Sequence, residues 1–318
     1  WRHIASNALT FLVVIVFLFG GVLLWAQNQY SAAGPLEAPI CLEVKRGSNF
    51  ARVSEDLEDQ GAVTSGMLFR LGADYGDKTG LLKAGSFLVP EGATMGEITE
   101  IVTRGGASTC GTEVVYRIGV TRATVQVREL DPATGRYQDV LEFNPAEEDP
   151  PAGYAGYVAD VGTRFRLALA EGVTSWQVVE EMKSLDVLSG EVDELPPEGS
   201  LAPDSYEVAK GDSRQSVITR MQNAQEVILA RAWENRAAGL PLESAEEALI
   251  LASIVEKETG GAEERPLVAS VFVNRLERGM RLQTDPTVIY GITNGQGILG
   301  RGLRQSELRG ATPYNTYV

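Results

Sequence analysis

Two glutamates near the end of one predicted helix are the side chains in this sequence best placed for acid–base chemistry. The segment Ser244–Thr259 reads SAEEALILASIVEKET, and a Ser/Glu capping box marks its start. At ~100° per residue, Glu258 falls near ~80° from Ile250, in the middle of the apolar stripe, whereas Glu256 falls near ~240°, on the opposite face. We therefore expect Glu258 to face the core or a cleft and Glu256 to face solvent.

Burial would give the Glu258 carboxyl group a chemical use. A carboxylate against an apolar wall is costly when charged, so such a group favours its protonated form, which a general acid needs. The alternative is that the helix has ended by Glu258. Its side chain would then reach solvent, or pair with Arg265 or Arg275.

Other catalytic chemistries lack their residues in this sequence. It has one histidine, His3, and two cysteines, Cys41 and Cys110. A histidine triad, a histidine-rich zinc site and a Cys–His dyad therefore have no parts here. The formal net charge of −15 argues against nucleic acid as a partner. The sequence starts without Met and stops in a polar stretch, so we expect a fragment, trimmed at both ends, whose missing tail could supply another histidine.

An uncharged apolar segment near the N-terminus predicts a membrane anchor. Ala8–Trp25 reads ALTFLVVIVFLFGGVLLW, about 27 Å as a helix, which matches the hydrocarbon thickness of a bilayer. We predict a stub at 1–7, a transmembrane helix at 8–26 that contacts membrane lipid, and a linker at 27–40. The alternative is a cleaved signal peptide.

The charges beside this segment predict its orientation. Arg2 precedes the span and Glu37 and Glu43 follow it, which places the N-terminus in the cytoplasm and the rest of the chain outside. In that oxidising space Cys41 and Cys110 either form a disulfide or remain two free buried thiols.

A strand–glycine–helix unit recurs along the chain. Apolar residues stand six and ten positions after each of four glycines, a spacing that fits one helix face; the glycines are Gly47, Gly92, Gly172 and Gly211. Generic β–turn–α packing explains this spacing. The sharper interpretation is a small βααβ glycan-binding module of the LysM type, which we place at 41–105.

A β-rich insertion is predicted at 106–164. Its β-branched and alternating runs are Thr112–Ile118, Thr124–Leu130 and Tyr137–Phe143, with a hairpin connection at Asp131–Gly135. We therefore predict an α+β protein with an N-terminal transmembrane helix, a small LysM-like α+β module, this β-rich insertion and a C-terminal mixed α/β domain at 165–318.

Polar, Gly- and Pro-bounded stretches follow the Glu258 helix. After a second amphipathic helix, Pro266–Arg278, the segment Met280–Gly291 reads MRLQTDPTVIYG and the chain closes on Pro313–Tyr317, PYNTY. This mixture of Gln, Thr, Asp, Asn and Tyr is typical of a sugar-binding wall.

These motifs, together with Ala252–Thr259 (ASIVEKET) and Val268–Leu276 (VASVFVNRL), resemble the YceG-like endolytic murein transglycosylase (MltG) family. The resemblance covers the last part of the chain closely. Gly199–Tyr206, GSLAPDSY, is similar to the family element EGWLFPDTY, with Ser and Ala in place of its aromatic pair.

The resemblance implies a function and a location. Members are single-pass proteins of the cell inner membrane, with the catalytic domain in the periplasm, that cleave peptidoglycan glycan strands internally and leave 1,6-anhydro-N-acetylmuramic acid ends. Peptidoglycan is the partner implied, and peptidoglycan synthases are further possible partners. The rival hypothesis is a non-catalytic peptidoglycan-binding scaffold or tether for those synthases.

The resemblance implies no metal and no organic cofactor, and it also assigns residues. Its catalytic glutamate, the second Glu of the EKET element, corresponds to Glu258, and the helical wheel selects the same residue. We expect seven further residues of the quoted motifs to line the glycan cleft, with Asp285 in a polar positioning role. Each of them could instead be a packing or turn residue. They are Asn274, Gln283, Thr284, Asp285, Tyr290, Tyr314 and Asn315.

Overall fold

The structure is a computed structural model that describes residues 2–104 and 108–318. It is a mixed α+β protein with an apolar N-terminal helix and two β-sheets. The predicted boundary at 105 and 106, and Trp1 of the predicted stub, lie outside the described residues.

The chain begins with one long apolar helix, α1 (Arg2–Ser31). Its stretch Thr10–Ser31 has 22 residues and a mean hydropathy of 2.3, and none of its most apolar part is buried. A helix of that length extends about 33 Å, enough to cross the hydrocarbon core of a bilayer. By length and composition, α1 fits a single-pass membrane anchor.

A compact βααβ arrangement follows α1. Strands β1 (Ile40–Val44) and β2 (Gly85–Val89) pair antiparallel, with Ile40 opposite Val89. Helices α2 (Phe50–Asp59) and α3 (Gly66–Tyr75) lie between them in the chain, then a short 3₁₀ helix (Thr79–Leu81), and α4 (Met95–Thr103) comes after. Apolar side chains of all these strands and α-helices form one buried cluster, which includes Leu42, Leu57, Phe69, Val89 and Ile98.

A disulfide joins Cys41 of β1 to Cys110, with Cα atoms 5.6 Å apart. The segment around Cys110 also follows β2: the amides of Thr109 and Cys110 donate to Ser86 O, and Leu88 N donates to Thr109 Oγ1. Of the two alternatives left by the sequence, the structure has the bonded pair.

The second sheet has five strands in the order β5-β4-β3-β6-β7. They are β3 (Thr112–Ile118), β4 (Ala123–Asp131), β5 (Arg136–Phe143), β6 (Arg164–Leu169) and β7 (Ser205–Val208), with the short helix α5 (Tyr154–Ala159) before β6. The three strands predicted within 106–164 are confirmed to within one residue, as is the turn after Asp131, where Gly135 N donates to Asp131 O.

Helices dominate the rest of the chain. They are α6 (Ser175–Lys183), α7 (Arg214–Glu234), α8 (Ala245–Glu258), α9 (Arg265–Glu277), α10 (Asp285–Thr293) and α11 (Gln305–Leu308). Helix α8 packs against α7, α9 and α10. Its buried residues Leu251, Ile254 and Val255 meet Phe272 of α9 in a small core.

Two compact units divide the chain. One comprises Trp1–Glu113, Val127–Val140 and Gly153–Arg164, and the other Val114–Gln126, Leu141–Ala152 and Phe165–Val318. The domain boundaries expected from the sequence, and the LysM-type assignment of the βααβ segment, stay predictions.

Candidate functional site

Glu258 is the last residue of α8, and its carboxylate accepts a hydrogen bond from the hydroxyl of Thr284. Thr284 is only 2% exposed and stands at the N-cap position of α10, where its hydroxyl makes no capping hydrogen bond. A buried hydroxyl that donates to Oε1 fixes the orientation of the carboxyl group and leaves Oε2 free to exchange a proton with a ligand.

The predicted burial of Glu258 is wrong. Glu258 is exposed, whereas Glu256 is partly buried and forms a salt bridge of 2.9 Å with Arg265. The helical wheel gives the angular position of a residue, but burial also needs a neighbouring element to cover it. The core under α8 reaches Val255, and Glu258 lies beyond that cover, at the helix end. Ile250, at the rim of the stripe, is likewise 56% exposed.

The start of α10 is held by the end of the chain. Gln283 N donates to Thr316 O (3.1 Å) and Thr284 N donates to Thr316 Oγ1 (3.0 Å). The hydroxyls of Thr316 and Thr287 are also 3.0 Å apart. These bonds bring two of the predicted motifs, 280–291 and 313–317, together beside Glu258.

Asp285 takes part in the same arrangement. The phenol of Tyr317 donates to Asp285 Oδ1 over 2.7 Å, and this hydrogen bond is the main reason that the pKa of Tyr317 is raised. Gln283 is exposed and has a φ of +51°, in the left-handed region. Strain of this kind is held only where surrounding contacts fix the backbone, as the bonds to Thr316 do here.

Tyr290 and Tyr314 form an aromatic pair on one side of α10. Their ring centroids are 4.9 Å apart with an interplanar angle of 84°, an edge-to-face contact. Desolvation, followed by the charge of Glu198 and the neighbouring Tyr314, raises the pKa of Tyr290. Tyr314 is 49% exposed, so the pair offers an aromatic surface to a ligand.

Two predicted cleft residues form hydrogen bonds to nearby backbone atoms, and their place in a glycan cleft stays a prediction. Asn315 is 8% exposed; its Nδ2 donates to Gly310 O (2.6 Å) and its Oδ1 accepts from Tyr317 N (2.8 Å), so it braces the turn after α11. Asn274 Nδ2 donates to Ser270 O, one turn earlier in α9. The structure therefore groups Glu258 with Gln283, Thr284 and Asp285, and pairs Tyr290 with Tyr314.

Sequence reasoning missed three residues of this region. Thr316 and Tyr317 belong to the quoted PYNTY motif, and its alternating polar residues were the available signal. Glu198 was missed because the motif was read only from Gly199 onward; desolvation raises its pKa, against the lowering effects of the Ser175 amide and Lys257. The available signal was the first Glu of the element EGWLFPDTY, because residues 198–206 read EGSLAPDSY.

Comparison with known proteins gives the family. The YceG-like family matches residues 42–318. The endolytic murein transglycosylase of Streptococcus pneumoniae serotype 2 is 26% identical over 327 residues, which cover 99% of this chain and 55% of that protein. The endolytic murein transglycosylase of Bacillus subtilis strain 168 is 23% identical over 309 residues, covering 94% of this chain and 75% of that protein.

A crystal structure of a yceG-like protein from Listeria monocytogenes is similar at 22% identity and a TM-score of 0.40, covering 88% of this chain and 83% of that one. This chain spans about half the length of the pneumococcal relative. Because the family match extends over most of the sequence, the chain belongs to the YceG-like family.

Proposed function

We propose that this chain is a membrane-anchored endolytic lytic transglycosylase of peptidoglycan, with Glu258 as its catalytic acid and base. The contact between Glu258 and Thr284 carries the proposal. It links two motifs that are distant in the sequence, and it fixes the orientation of the Glu258 carboxyl group. The pair of Tyr290 in α10 and the exposed Tyr314 supports it, since ligand sites are commonly lined by aromatic side chains. The names of the relatives point to the same activity.

One carboxyl group suffices for the reaction. Protonated Glu258 donates to the glycosidic oxygen between N-acetylmuramic acid and N-acetylglucosamine, and the bond from C1 to that oxygen breaks. The 6-hydroxyl of the same muramic acid residue attacks C1, a C1–O6 bond forms, and the hydroxyl proton returns to Glu258. No water is consumed, so the second carboxylate of ordinary glycosidases is not needed.

Substrate itself completes the environment of Glu258. The carboxyl group is open to solvent in the free protein, and a glycan strand lying on it would exclude that water. Exclusion of water strengthens the interactions of the carboxyl group with the developing positive charge at C1. Asp285 acts at a distance from the reacting atoms, by orienting Tyr317.

The βααβ segment serves as a LysM-like glycan-holding module in this proposal. A cavity of about 640 Å³ opens between the turn that precedes α2 and the turn that follows α3. Its walls combine polar side chains with apolar ones, which suits a sugar; they include Ser48, Asn49, Arg70, Leu71, Asp74 and Thr79.

Helix α1 anchors the chain in the cell inner membrane, with the remainder in the periplasm. The disulfide between Cys41 and Cys110 supports this location, because such bonds persist in oxidising compartments. The rival function, a glycan-binding tether without catalysis, draws its support from the same cavity, so the experiment has to separate binding from cleavage.

The test is digestion of purified glycan strands by the whole chain in detergent, followed by mass spectrometry of the new ends. We expect 1,6-anhydro ends from the wild type and a loss of at least about 10²-fold in rate for Glu258→Gln, which keeps the shape but cannot donate a proton. Glu256→Gln, two residues away, is the matched control and should stay within about 3-fold of wild type.

Three results would count against the proposal. Equal rates for wild type and Glu258→Gln would remove Glu258 from the chemistry. Reducing ends in place of anhydro ends would make the enzyme a hydrolase. Glycan binding by both proteins with no cleavage by either would establish the tether.

A further inference from the structure

Glu198 lies where three segments near the candidate site meet. Its Oε2 accepts a hydrogen bond from the amide of Ser175, the first residue of α6, over 3.1 Å. The hydroxyl of Ser175 donates to Pro197 O over 3.0 Å. The turn that carries Glu198 is therefore fixed to the start of α6 by bonds in both directions.

The opposite carboxylate oxygen lies against the loop that follows α10. A Cβ atom at Gly295 would lie 2.8 Å from Glu198 Oε1 and 3.2 Å from Tyr290 Cε2. Gly295 is buried and has a φ of +74°, and its carbonyl accepts a hydrogen bond of 2.6 Å from Thr174 Oγ1. Only glycine allows Glu198 and Tyr290 to approach the backbone this closely.

The end of α8 reaches the same region through Lys257, the neighbour of Glu258. Lys257 Nζ donates to Gly172 O, in the turn before α6, over 2.6 Å. Desolvation lowers the pKa of Lys257, while the charges of Glu256 and Glu198 oppose that change. Lys257 and Glu198 thus carry opposite charges near the start of α6.

We propose that Glu198 is a positioning residue for the glycan cleft, which holds the end of α10 and the ring of Tyr290 against the start of α6. This inference rests on the proposed function. Helix α10 carries Thr284 at its first turn and Tyr290 in its last, so fixing its far end also fixes the surface that faces a sugar bound at Glu258. Glu198 itself makes no contact with the reacting atoms.

A pair of substitutions separates shape from charge at this position. Glu198→Gln keeps a side-chain oxygen for the Ser175 amide, whereas Glu198→Ala removes it. We expect Glu198→Ala to raise KM for glycan strands about 10-fold with kcat within about 3-fold of wild type, and Glu198→Gln to recover most of the loss. Glu180→Ala, which removes an exposed α6 carboxylate paired with Lys183, is the control and should match wild type.

Gly295→Ala disturbs the contact between Glu198 and the loop after α10 without changing Glu198. It tests the inference even if Glu198→Ala does not fold. Its methyl group would meet Glu198 Oε1, so it should raise KM in the same way. Amide hydrogen exchange over 285–295 gives a readout independent of catalysis, and we expect it to accelerate in Glu198→Ala and Gly295→Ala.

The outcomes separate this inference from the proposed function. Wild-type KM and wild-type exchange in both variants would overturn the positioning role. A collapse of kcat in Glu198→Gln would overturn it too, because the carboxyl group would then act in the chemistry. If the wild type cleaves no glycan, the proposed function fails, and unchanged exchange over 285–295 would still refute the inference.

Discussion

At the scale of single side chains, the hydrogen bond from Thr284 to Glu258 is the contact on which the proposed chemistry depends. It ties the last residue of α8 to the first turn of α10. A freely rotating carboxyl group at a helix end would spend little time aimed at a glycosidic oxygen. A donor with fixed position removes that freedom before substrate binds.

Removal of the Thr284 hydroxyl should therefore slow cleavage. We expect Thr284→Val, which conserves shape, to lower kcat about 10-fold with little change in KM, the size expected for loss of one hydrogen bond to a charged group. Thr219→Val is the matched control, since that exposed hydroxyl donates to Gln215 O within α7. An unchanged kcat in Thr284→Val, measured by release of anhydro ends, would show that Glu258 needs no such partner.

Glu307 offers a residue-scale prediction that is independent of activity. Two hydrogen bonds from Arg301 and one from the Arg304 amide hold its pKa at about 2, below the ordinary 4.5. Because the folded-state pKa is depressed, the stabilising effect is present above pH 4.5 and is lost as the pH falls toward 2. NMR titration of the Glu307 carboxyl carbon should give this value, and Arg301→Gln should return it toward 4.5.

The sequence motifs predicted which side chains come close together better than they predicted the surroundings of those side chains. The chain order of the motifs was enough to choose Glu258, Thr284, Asp285 and Tyr314. The exposure of Glu258 was not predictable from its own helix, because it depends on where the core under α8 ends. The bonds of Thr316 to residues 283 and 284 span more than 30 positions, and no local pattern encodes them.

At the scale of elements, the recurring glycine unit was predictable because each of its parts is local. All four glycines have positive φ values, each follows a strand and each precedes a helix with a side-chain N-cap. The caps are Asn49, Thr94, Thr174 and Ser213. The residues six and ten positions after each glycine are at most 1% exposed. The strand order of the sheet depends on pairing between distant segments, so no local pattern in the sequence predicts it.

A buried ion cluster in the five-stranded sheet links β3 to its neighbours β4 and β6. The spacing of charged residues in the sequence does not predict it. Glu113 of β3 is 1% exposed and lies 2.5 Å from Arg128 of β4 and 3.4 Å from Arg164 of β6. The guanidinium of Arg128 also lies 4.5 Å from the centre of the Tyr137 ring. The single carboxylate therefore compensates two guanidinium groups on neighbouring strands.

Loss of that carboxylate should be costly. Glu113→Ala leaves two crowded cations without their counter-charge, and we expect it to lower the free energy of unfolding by about 3–5 kcal/mol. Urea unfolding in detergent, followed by circular dichroism, measures the change. Glu100→Ala removes a half-exposed partner of Lys78 and should cost at most about 1 kcal/mol. Equal effects of the two substitutions would show that the cluster adds no stability.

At the scale of the whole molecule, a disulfide constrains the small βααβ segment that follows the apolar helix α1. The βααβ segment has only two paired strands, and so small a core gives little stability by itself. Its disulfide joins positions 69 residues apart. In the chain-entropy account, closing a loop of that length in the unfolded state stabilises the folded state by about 4 kcal/mol.

The disulfide should therefore act on stability more than on structure. The segment at Ser108–Cys110 keeps its hydrogen bonds to β2 without the covalent link, so the double variant Cys41→Ser, Cys110→Ser should fold and cleave glycan at 25 °C. Its free energy of unfolding should fall by about 2–4 kcal/mol. Thiol reductant should lower the thermal midpoint of the wild type to that of the variant and leave the variant unaffected. A wild-type midpoint insensitive to reductant, with the bond shown to be open by thiol labelling, would mean that the hydrogen bonds along β2 hold the module alone.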